Sequence, residues 1–157
     1  MTKEEFVHLA EGMEEQIHRI ACAYLSREAD RLDAAQETLL KAWKSRDSLK
    51  NPQYFRTWII RILIRECVNI QRHHKKITPV DNLPERPAEM NQDALLLRQA
   101  IERLPAHQRI VTVLFYMEGY SVDEIAGMLR LPKGTVCSRL KRARNQLKQY
   151  LEEEGEP

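Results

Sequence analysis

The sequence predicts an all-α protein made of two small helical domains joined by a proline-containing linker. Apolar residues recur at helical spacing along most of the 157 residues, only five glycines occur, and no segment alternates like a strand. Segment 76–91 interrupts this pattern with Pro79, Pro84 and Pro87. Proline lacks an amide donor and biases the preceding residue toward extended backbone. We therefore expect domains at residues 1–75 and 92–157, with 76–91 as the linker.

The composition is typical of a globular protein of the cytoplasm. Apolar residues make up 43% and charged residues 31% of the chain, which fits a helix-rich domain better than a disordered segment. The start, MTKEEFVHLAEG, is acidic where a signal peptide is basic and then apolar, so we expect no direct membrane insertion. Cys22, Cys67 and Cys137 are odd in number and far apart, which predicts reduced thiols.

The first domain should contain helices at about 3–25, 29–46 and 52–73. Five glutamates lie within residues 4–15, at the start of the first helix. The third helix is apolar around most of its circumference, and the basic run at 73–76 follows it. One polar stripe remains on it, formed by Arg61, Arg65, Asn69 and Arg72. An exposed line of cations on an otherwise buried helix is suited to binding a nucleic-acid backbone. The alternative is that these arginines form ion pairs with the acidic first helix.

The second domain should contain helices at about 92–103, 106–118, 121–130 and 133–152. Ser121 with Glu124 three residues later forms a capping-box sequence, which marks a helix start. A turn at Arg130 and Leu131 leads to Pro132, which suits the beginning of the next helix because no amide donor is needed there. This order is the layout of a helix-turn-helix.

The last helix divides into an apolar stripe and a basic face. At 100° per residue, Val136, Leu140, Ala143 and Leu147 fall on one side and should pack inward. The opposite side has a small polar centre and cationic edges, which suits a major groove, whereas a merely solvated basic face is the alternative. The candidate DNA-contacting residues are Lys133, Gly134, Thr135, Cys137, Ser138, Arg139, Lys141, Arg142, Arg144 and Asn145.

Both halves of the chain carry motifs of one protein family. The motifs of the second half are Leu104-Pro105, Arg109, Glu124-Ile125-Ala126, Gly134-Thr135-Val136, Ser138-Arg139-Leu140 and Arg142-Ala143-Arg144. The segment that holds them resembles region 4 of the sigma-70 superfamily, in its extracytoplasmic-function (ECF) group. Segment 30–44 resembles region 2.2 through Asp33, Gln36, Glu37, Lys41, Ala42 and Trp43, and segment 55–76 resembles regions 2.3 to 2.4. Together these segments cover most of the chain.

The resemblance implies a dissociable sigma factor of bacterial RNA polymerase that directs the core enzyme to specific promoters and initiates transcription. The fold would be a region 2 helical bundle followed by a region 4 helix-turn-helix. Region 4 would read the minus-35 duplex with the candidate residues of the last helix. Region 2 would bind the minus-10 non-template strand, with a flipped base held by stacking and edge hydrogen bonds. The minus-10 residues would be Asn51, Gln53, Tyr54, Arg61, Arg65, Asn69 and Arg72.

The same resemblance implies partners for the protein. The RNA polymerase core would be contacted through the beta-prime clamp helices and the beta flap, with carboxylates meeting basic residues. The residues facing the clamp helices would be Asp33, Gln36, Glu37 and Leu40. An anti-sigma factor, often membrane-anchored in this family, would sequester the protein. Trp58 matches a packed tryptophan of the family, and its expected role is in the core.

Other functions and sites receive less support from the sequence. A stand-alone helix-turn-helix DNA-binding regulator and a helical adaptor that binds an acidic protein both remain open. No phosphate-binding glycine loop, carboxylate pair or nucleophile–base arrangement indicates an enzyme, and no cofactor is expected. His18 and Cys22 share a helical face, but two side chains do not make a metal site, so we expect them to pack in the core.

Three positions depart from the family pattern. Arg130 stands where the turn usually has glycine, and a positive φ there would carry about 1 kcal/mol of strain. Cys137 stands where Lys or Arg is frequent, and Arg65 replaces a common asparagine. These differences concern the promoter sequence that is read and leave the function class unchanged.

Overall fold

A computed structural model of the chain describes residues 1–74 and 91–155. Every regular element in this part is helical, which confirms the all-α prediction. The chain divides into two compact units, called unit 1 and unit 2, one on each side of the undescribed stretch. The expected linker at 76–91 lies outside the described residues except for Asn91, whose side chain caps the next helix by accepting a 2.7 Å hydrogen bond from the Ala94 amide.

Unit 1 contains four α-helices: α1 (Lys3–Glu11), α2 (Glu14–Tyr24), α3 (Glu28–Lys44) and α4 (Phe55–His74). The prediction of one continuous helix over 3–25 is wrong, because the chain bends at Gly12 and Met13. The Gly12 amide donates to the His8 carbonyl at 3.3 Å and the Met13 amide donates to the Ala10 carbonyl at 3.0 Å, which ends α1. The bend places the Met13 side chain in the core, where it is 7% exposed.

The packing of α4 against α3 forms the centre of unit 1. Two polar contacts cross this interface: Lys41 Nζ forms an ion pair with Glu66 Oε1 at 2.6 Å, and Asp30 Oδ2 lies 2.9 Å from His74 Nε2. Because early α3 meets late α4, the two helices run antiparallel. Burial and the neighbouring Glu66 carboxylate raise the pKa of the Cys67 thiol to about 12, so this thiol stays protonated. The buried α4 side chains are Phe55, Ile59, Ile60, Leu63, Ile64, Glu66 and Cys67.

Unit 2 also contains four α-helices: α5 (Gln92–Arg103), α6 (Ala106–Thr112), α7 (Val122–Leu129) and α8 (Lys133–Gly155). Arg109 ties α6 to the end of α5, because its Nη1 donates to the carbonyls of Glu102 at 3.1 Å and Leu104 at 3.4 Å. Burial lowers the pKa of this guanidinium, and the Glu102 carboxylate partly opposes that shift. This role explains why Arg109 appears among the motif residues although it lies outside the helix-turn-helix.

The helix predicted at 106–118 is not regular to its end. After α6 the chain continues as a π-helical turn over Val113–Met117. The Glu118 amide donates to the Val113 carbonyl at 3.0 Å, and the Tyr120 amide donates to the Leu114 carbonyl at 3.0 Å. The wider turn buries Val113 and Leu114, whereas the next side chains along the turn reach the surface. Isolated π turns are rare and often occur at functional sites.

Candidate nucleic-acid interface

The helix-turn-helix of unit 2 is formed by α7 and α8. The predicted capping box is present: the Glu124 amide donates to Ser121 Oγ at 3.1 Å, and the Ser121 amide donates to Glu124 Oε1 at 3.0 Å. Arg130 has φ 55° and ψ 48°, the left-handed conformation. It is the one non-glycine residue with positive φ in the described ranges, so the strain of about 1 kcal/mol expected for it applies.

The exposed face of α8 agrees with the prediction from helical periodicity. Val136, Leu140 and Ala143 are buried, whereas Leu147, predicted to pack inward, is only half-buried at the edge of a groove. Thr135 and Arg139 are half-buried. The exposed candidates are Lys133, Gly134, Cys137, Ser138, Lys141, Arg142, Arg144 and Asn145.

Two cations of α8 have polar neighbours that the sequence pattern did not reveal. Lys133 Nζ lies 3.1 Å from Asp123 Oδ1, and both side chains are well exposed. Arg144 Nη1 donates a 3.0 Å hydrogen bond to the Tyr116 hydroxyl, 28 residues earlier in the chain. No ion pair involves Arg139, Lys141 or Arg142 within residues 91–155. These three therefore remain available to an incoming phosphate.

The polar stripe of α4 is exposed along its whole length. Arg61, Arg65, Asn69 and Arg72 all reach solvent. In the described part of unit 1 none of these arginines pairs with a carboxylate, so the alternative of ion pairing to the acidic first helix finds no support there. His74 turns toward Asp30 and does not prolong the stripe. Lys75 and Lys76, expected to prolong it, lie outside the described residues.

The loop before α4 presents one aromatic ring to solvent. Pro52–Tyr54 forms a single 3-10 turn, which Asn51 caps by accepting a 3.0 Å hydrogen bond from the Gln53 amide. Tyr54 is 63% exposed, which leaves its ring open to stacking. Trp58 is half-buried with its ring 5.7 Å from that of Phe55, which agrees with a packing role.

The face of α3 predicted to meet the polymerase is also exposed. Asp33, Gln36, Glu37 and Leu40 all reach solvent, and Leu40 is 47% exposed. Beside this face, a groove of about 520 Å³ lies between α1, α2 and α3, and we call it groove 1. Its apolar floor is bordered by carboxylates. The residues that define groove 1 are Phe6, Val7, Ile17, Leu32 and Leu39 on the floor and Glu11, Glu14 and Glu28 at the rim.

A buried arginine forms one wall of groove 1. Arg31 is 6% exposed, and its Nη1 donates to the carbonyls of Leu25 at 3.3 Å and Ser26 at 2.9 Å. Its Nε is buried without a hydrogen-bond partner in the part of unit 1 that the structure describes. A buried donor left in this state is costly unless a bound group supplies an acceptor.

A second groove, groove 2, lies in unit 2 between α5, the π-helical turn and α8. Its volume is about 700 Å³. The floor is again apolar, but the charged side chains at its edge are mainly basic. The residues that define groove 2 are Leu97, Ile101, Tyr116, Met117, Leu147 and Leu151 on the floor and Arg144, Lys148 and Glu152 at the edge.

His18 and Cys22 do not pack in the core, so that expectation is wrong. His18 is exposed and Cys22 half-buried on α2, with 3.6 Å between Cys22 Sγ and His18 Nε2. Across the described ranges, no three metal-ligating side chains cluster together. The same ranges contain no helix that is long and apolar enough to cross a bilayer.

Two protein-family models match segments of the chain. "Sigma-70 region 2" matches residues 9–77, and "Sigma-70, region 4" matches residues 94–147. Among curated relatives, RNA polymerase sigma factor SigV of Bacillus subtilis is 28% identical over 146 residues, covering 90% of this chain and 88% of SigV. ECF RNA polymerase sigma factor SigM of Mycobacterium tuberculosis is 32% identical over 141 residues, covering 87% and 71%.

Solved structures with a similar fold were found in complexes. The sigma factor RpoE in complex with the anti-sigma factor NepR from Bartonella quintana has a TM-score of 0.79 and 25% identity, covering 96% of both chains. CnrH in complex with the cytosolic domain of CnrY has a TM-score of 0.72 and 25% identity, covering 96% of this chain and 90% of CnrH. The similarity therefore extends over nearly the whole chain.

Proposed function

We propose that this chain, which belongs to the ECF family of bacterial RNA polymerase sigma factors, divides promoter recognition between the two basic helices α4 and α8. As a sigma factor it directs core polymerase to specific promoters and initiates transcription. The observation that carries the division of labour is the exposed polar stripe of α4, whose arginines have no carboxylate partner in the described residues. A stand-alone regulator would need α8 alone, and this stripe would have no role in it.

For the minus-35 element, we propose that α8 lies in the major groove. Gly134 and Ser138 at the centre of its exposed face allow close approach, while Lys141 and Arg142 reach base edges or phosphates. The proposed minus-35 contacts are Lys133, Gly134, Thr135, Cys137, Ser138, Arg139, Lys141, Arg142, Arg144 and Asn145. Residues 92–157 would form this domain.

For the minus-10 element, we propose that the α4 stripe follows the non-template strand. Arg61 and Arg65 lie one helical turn apart and Arg72 lies two turns further along, which suits phosphates along one strand. Tyr54 at the start of the helix offers a ring for base stacking, which stabilises a base that has left the duplex. The proposed contacts are Asn51, Gln53, Tyr54, Arg61, Arg65, Asn69 and Arg72. Residues 1–75 would form this domain.

For core polymerase, we propose that the beta-prime clamp helices dock on the α3 face of Asp33, Gln36, Glu37 and Leu40 and continue over groove 1. Charge and continuity support this extension, because Leu32 joins the two surfaces and carboxylates line the far rim. Basic residues on an apolar helix of the polymerase would complement both the α3 face and groove 1. Groove 2 is the surface that we assign to the beta flap, because it offers a large apolar surface on unit 2.

We also propose that an anti-sigma factor binds this chain, because the similar sigma factor RpoE was solved in complex with the anti-sigma factor NepR. Such a partner would act by covering the polymerase-binding face of α3. The protein would then be cytoplasmic, at the nucleoid when free or at the membrane when its partner is anchored there. No catalytic role is proposed for any residue.

Run-off transcription from a randomised promoter library, with purified core polymerase and variable spacing between elements, tests the proposal. We expect selection of two sequence elements at one preferred spacing. The double variant Arg61→Gln/Arg65→Gln should lose selection of the minus-10 element and retain the minus-35 element. Selection of a single element, or high-affinity sequence-specific duplex binding by a free dimer, would instead support the stand-alone regulator.

A further inference from the structure

The π-helical turn after α6 places the Tyr116 side chain beside α8, the second helix of the helix-turn-helix. The turn leaves Tyr116 51% and Met117 53% exposed, although Val113 and Leu114 at its start are buried. The Tyr116 ring packs edge-on against Phe115, with ring centroids 4.9 Å apart and an interplanar angle of 86°. The ring therefore contacts Phe115 on one side and contributes little to the core.

The only hydrogen bond of this hydroxyl in the described residues is the one that it accepts from Arg144 Nη1, at 3.0 Å. A guanidinium has five N–H donors, so four remain for another acceptor. Arg144 lies at the flank of the exposed face of α8, where phosphates rather than base edges come within reach. A side chain that is already held in place loses less conformational freedom when it binds.

We propose that Tyr116 is a positioning residue for minus-35 recognition, which holds the Arg144 guanidinium ready for a backbone phosphate. This inference rests on the proposed function, because it requires α8 to lie on the duplex. Tyr116 itself does not touch DNA and acts through Arg144. No comparable side-chain contact holds the exposed cations Lys141 and Arg142 in the described residues.

Duplex binding by the full chain tests the inference without knowledge of the promoter, because phosphate contacts do not depend on sequence. The probe is a fluorescein-labelled 30-base-pair duplex of random sequence, titrated by fluorescence anisotropy over a series of KCl concentrations. The variants are Tyr116→Phe, Arg144→Gln and their combination. Tyr150→Phe is the matched control, because the Tyr150 ring, and not its hydroxyl, contacts a cation, Arg103, at 3.9 Å.

We expect Arg144→Gln to reduce the slope of log K against log salt by about 0.9, the value for one phosphate contact. Tyr116→Phe should weaken binding about two- to tenfold, as expected when one side chain loses its preorganisation. In the Arg144→Gln background the same change should have no further effect. Tyr150→Phe should match the unmodified chain, and Tyr116→Phe should unfold at an unchanged temperature because the ring is retained.

Binding by Tyr116→Phe equal to that of the unmodified chain would overturn the inference. An equal loss with and without Arg144 would also overturn it, because the effect would not pass through Arg144. Arg142→Gln separates this failure from failure of the proposed function. If Arg142→Gln reduces the salt slope and Tyr116→Phe changes nothing, α8 still binds DNA and only the inference falls. If Arg142→Gln leaves the salt slope unchanged and Tyr116→Phe leaves the affinity unchanged, both proposals fail.

Discussion

The two basic helices are held in place by different forces. α4 is surrounded by apolar contacts, and Ile59, Ile60 and Leu63 are fully buried, so its polar stripe is what remains on an otherwise enclosed helix. α8 is buried along a narrow line, and two of its cations are oriented by polar neighbours, Asp123 and Tyr116. The stripe of α4 is therefore fixed by the core, whereas the cations of α8 depend on individual contacts.

The difference has a consequence for substitutions. In unit 1, exchange of a surface residue should alter one contact and leave the helix in place, whereas exchange of a core residue should displace the whole stripe. In unit 2, exchange of one polar residue that contacts α8 from a distant position in the chain should alter DNA binding. The free energy of unfolding should stay nearly constant. The two grooves also differ in charge, since groove 1 has an acidic rim and groove 2 has a mainly basic edge.

The largest expected effect comes from the core of α4. Leu63→Ala removes a fully buried side chain and should lower the free energy of unfolding by about 3 kcal/mol, through lost apolar burial and the cavity that remains. Urea unfolding of the full chain measures the change. Ile62→Ala is the control, because Ile62 is half-buried on the same helix and should cost about 1 kcal/mol or less. Equal losses for the two variants would show that burial does not hold α4.

A smaller effect should come from the Lys41–Glu66 pair. Lys41→Met leaves the Glu66 carboxylate, 11% exposed, without its cation, and should cost about 1 to 2 kcal/mol, less than a fully buried pair because the Lys41 side chain is 48% exposed. Lys44→Met on the exposed side of α3 is the control and should be nearly neutral. If Lys41→Met lowered the free energy of unfolding more than Leu63→Ala, the ion pair and not apolar burial would be the main force that holds α4 in place.

The same pair predicts a dependence on pH. The hydrogen bond to Glu66 raises the pKa of Lys41 above its ordinary value, with the charges of Glu66 and Glu37 adding to the shift and desolvation opposing it. A raised folded-state pKa stabilises the protein fully below the ordinary lysine pKa of about 10.4. The contribution is lost as pH rises through the raised value. The stability difference between the unmodified chain and Lys41→Met should therefore be constant up to pH 9 and shrink above about pH 10.5.

Local chemistry explains which features could be predicted from the sequence. The capping box at Ser121 and Glu124 depends on two residues three positions apart. The positive φ of Arg130 is suggested only by the family resemblance, because the resembled family usually has glycine at this turn. The exposed faces of α4 and α8 follow from helical periodicity, since a helix packed on one side must expose the other. These signals are contained within a few turns of one helix, and the structure agrees with them.

The features that were missed depend on residues far apart in the chain. The sequence Val113–Met117 is predicted as continuous helix, but the structure has a π-helical turn there, which leads to Tyr120 in the core, 2% exposed. The contact between Tyr116 and Arg144 joins positions 28 residues apart, which no helical spacing relates. The bend at Gly12 likewise reflects the burial of Met13 against the rest of unit 1.

A substitution at Cys137 should change the charge of the exposed face of α8 and leave the helix in place. The side chain is exposed on the side of α8 that we propose faces DNA, so Cys137→Arg should add one phosphate or base contact. We expect several-fold tighter duplex binding, a salt slope steeper by about 0.9 and a shifted minus-35 preference in the promoter library. Cys137→Ser, which keeps the size and adds no charge, is the control. An unchanged slope and preference for Cys137→Arg would place this position off the DNA.

The smallest expected effect concerns the turn between α7 and α8, a site of backbone strain that α4 lacks. Arg130→Gly should relieve about 1 kcal/mol of strain at φ 55°, while glycine increases the entropy of the unfolded chain, so the net gain should be about 0.5 kcal/mol. This corresponds to an unfolding temperature higher by roughly 1 to 2 °C. Arg130→Ala keeps the Cβ and should give no gain. If alanine stabilised the chain as much as glycine, the cause would be the arginine side chain and not the left-handed backbone.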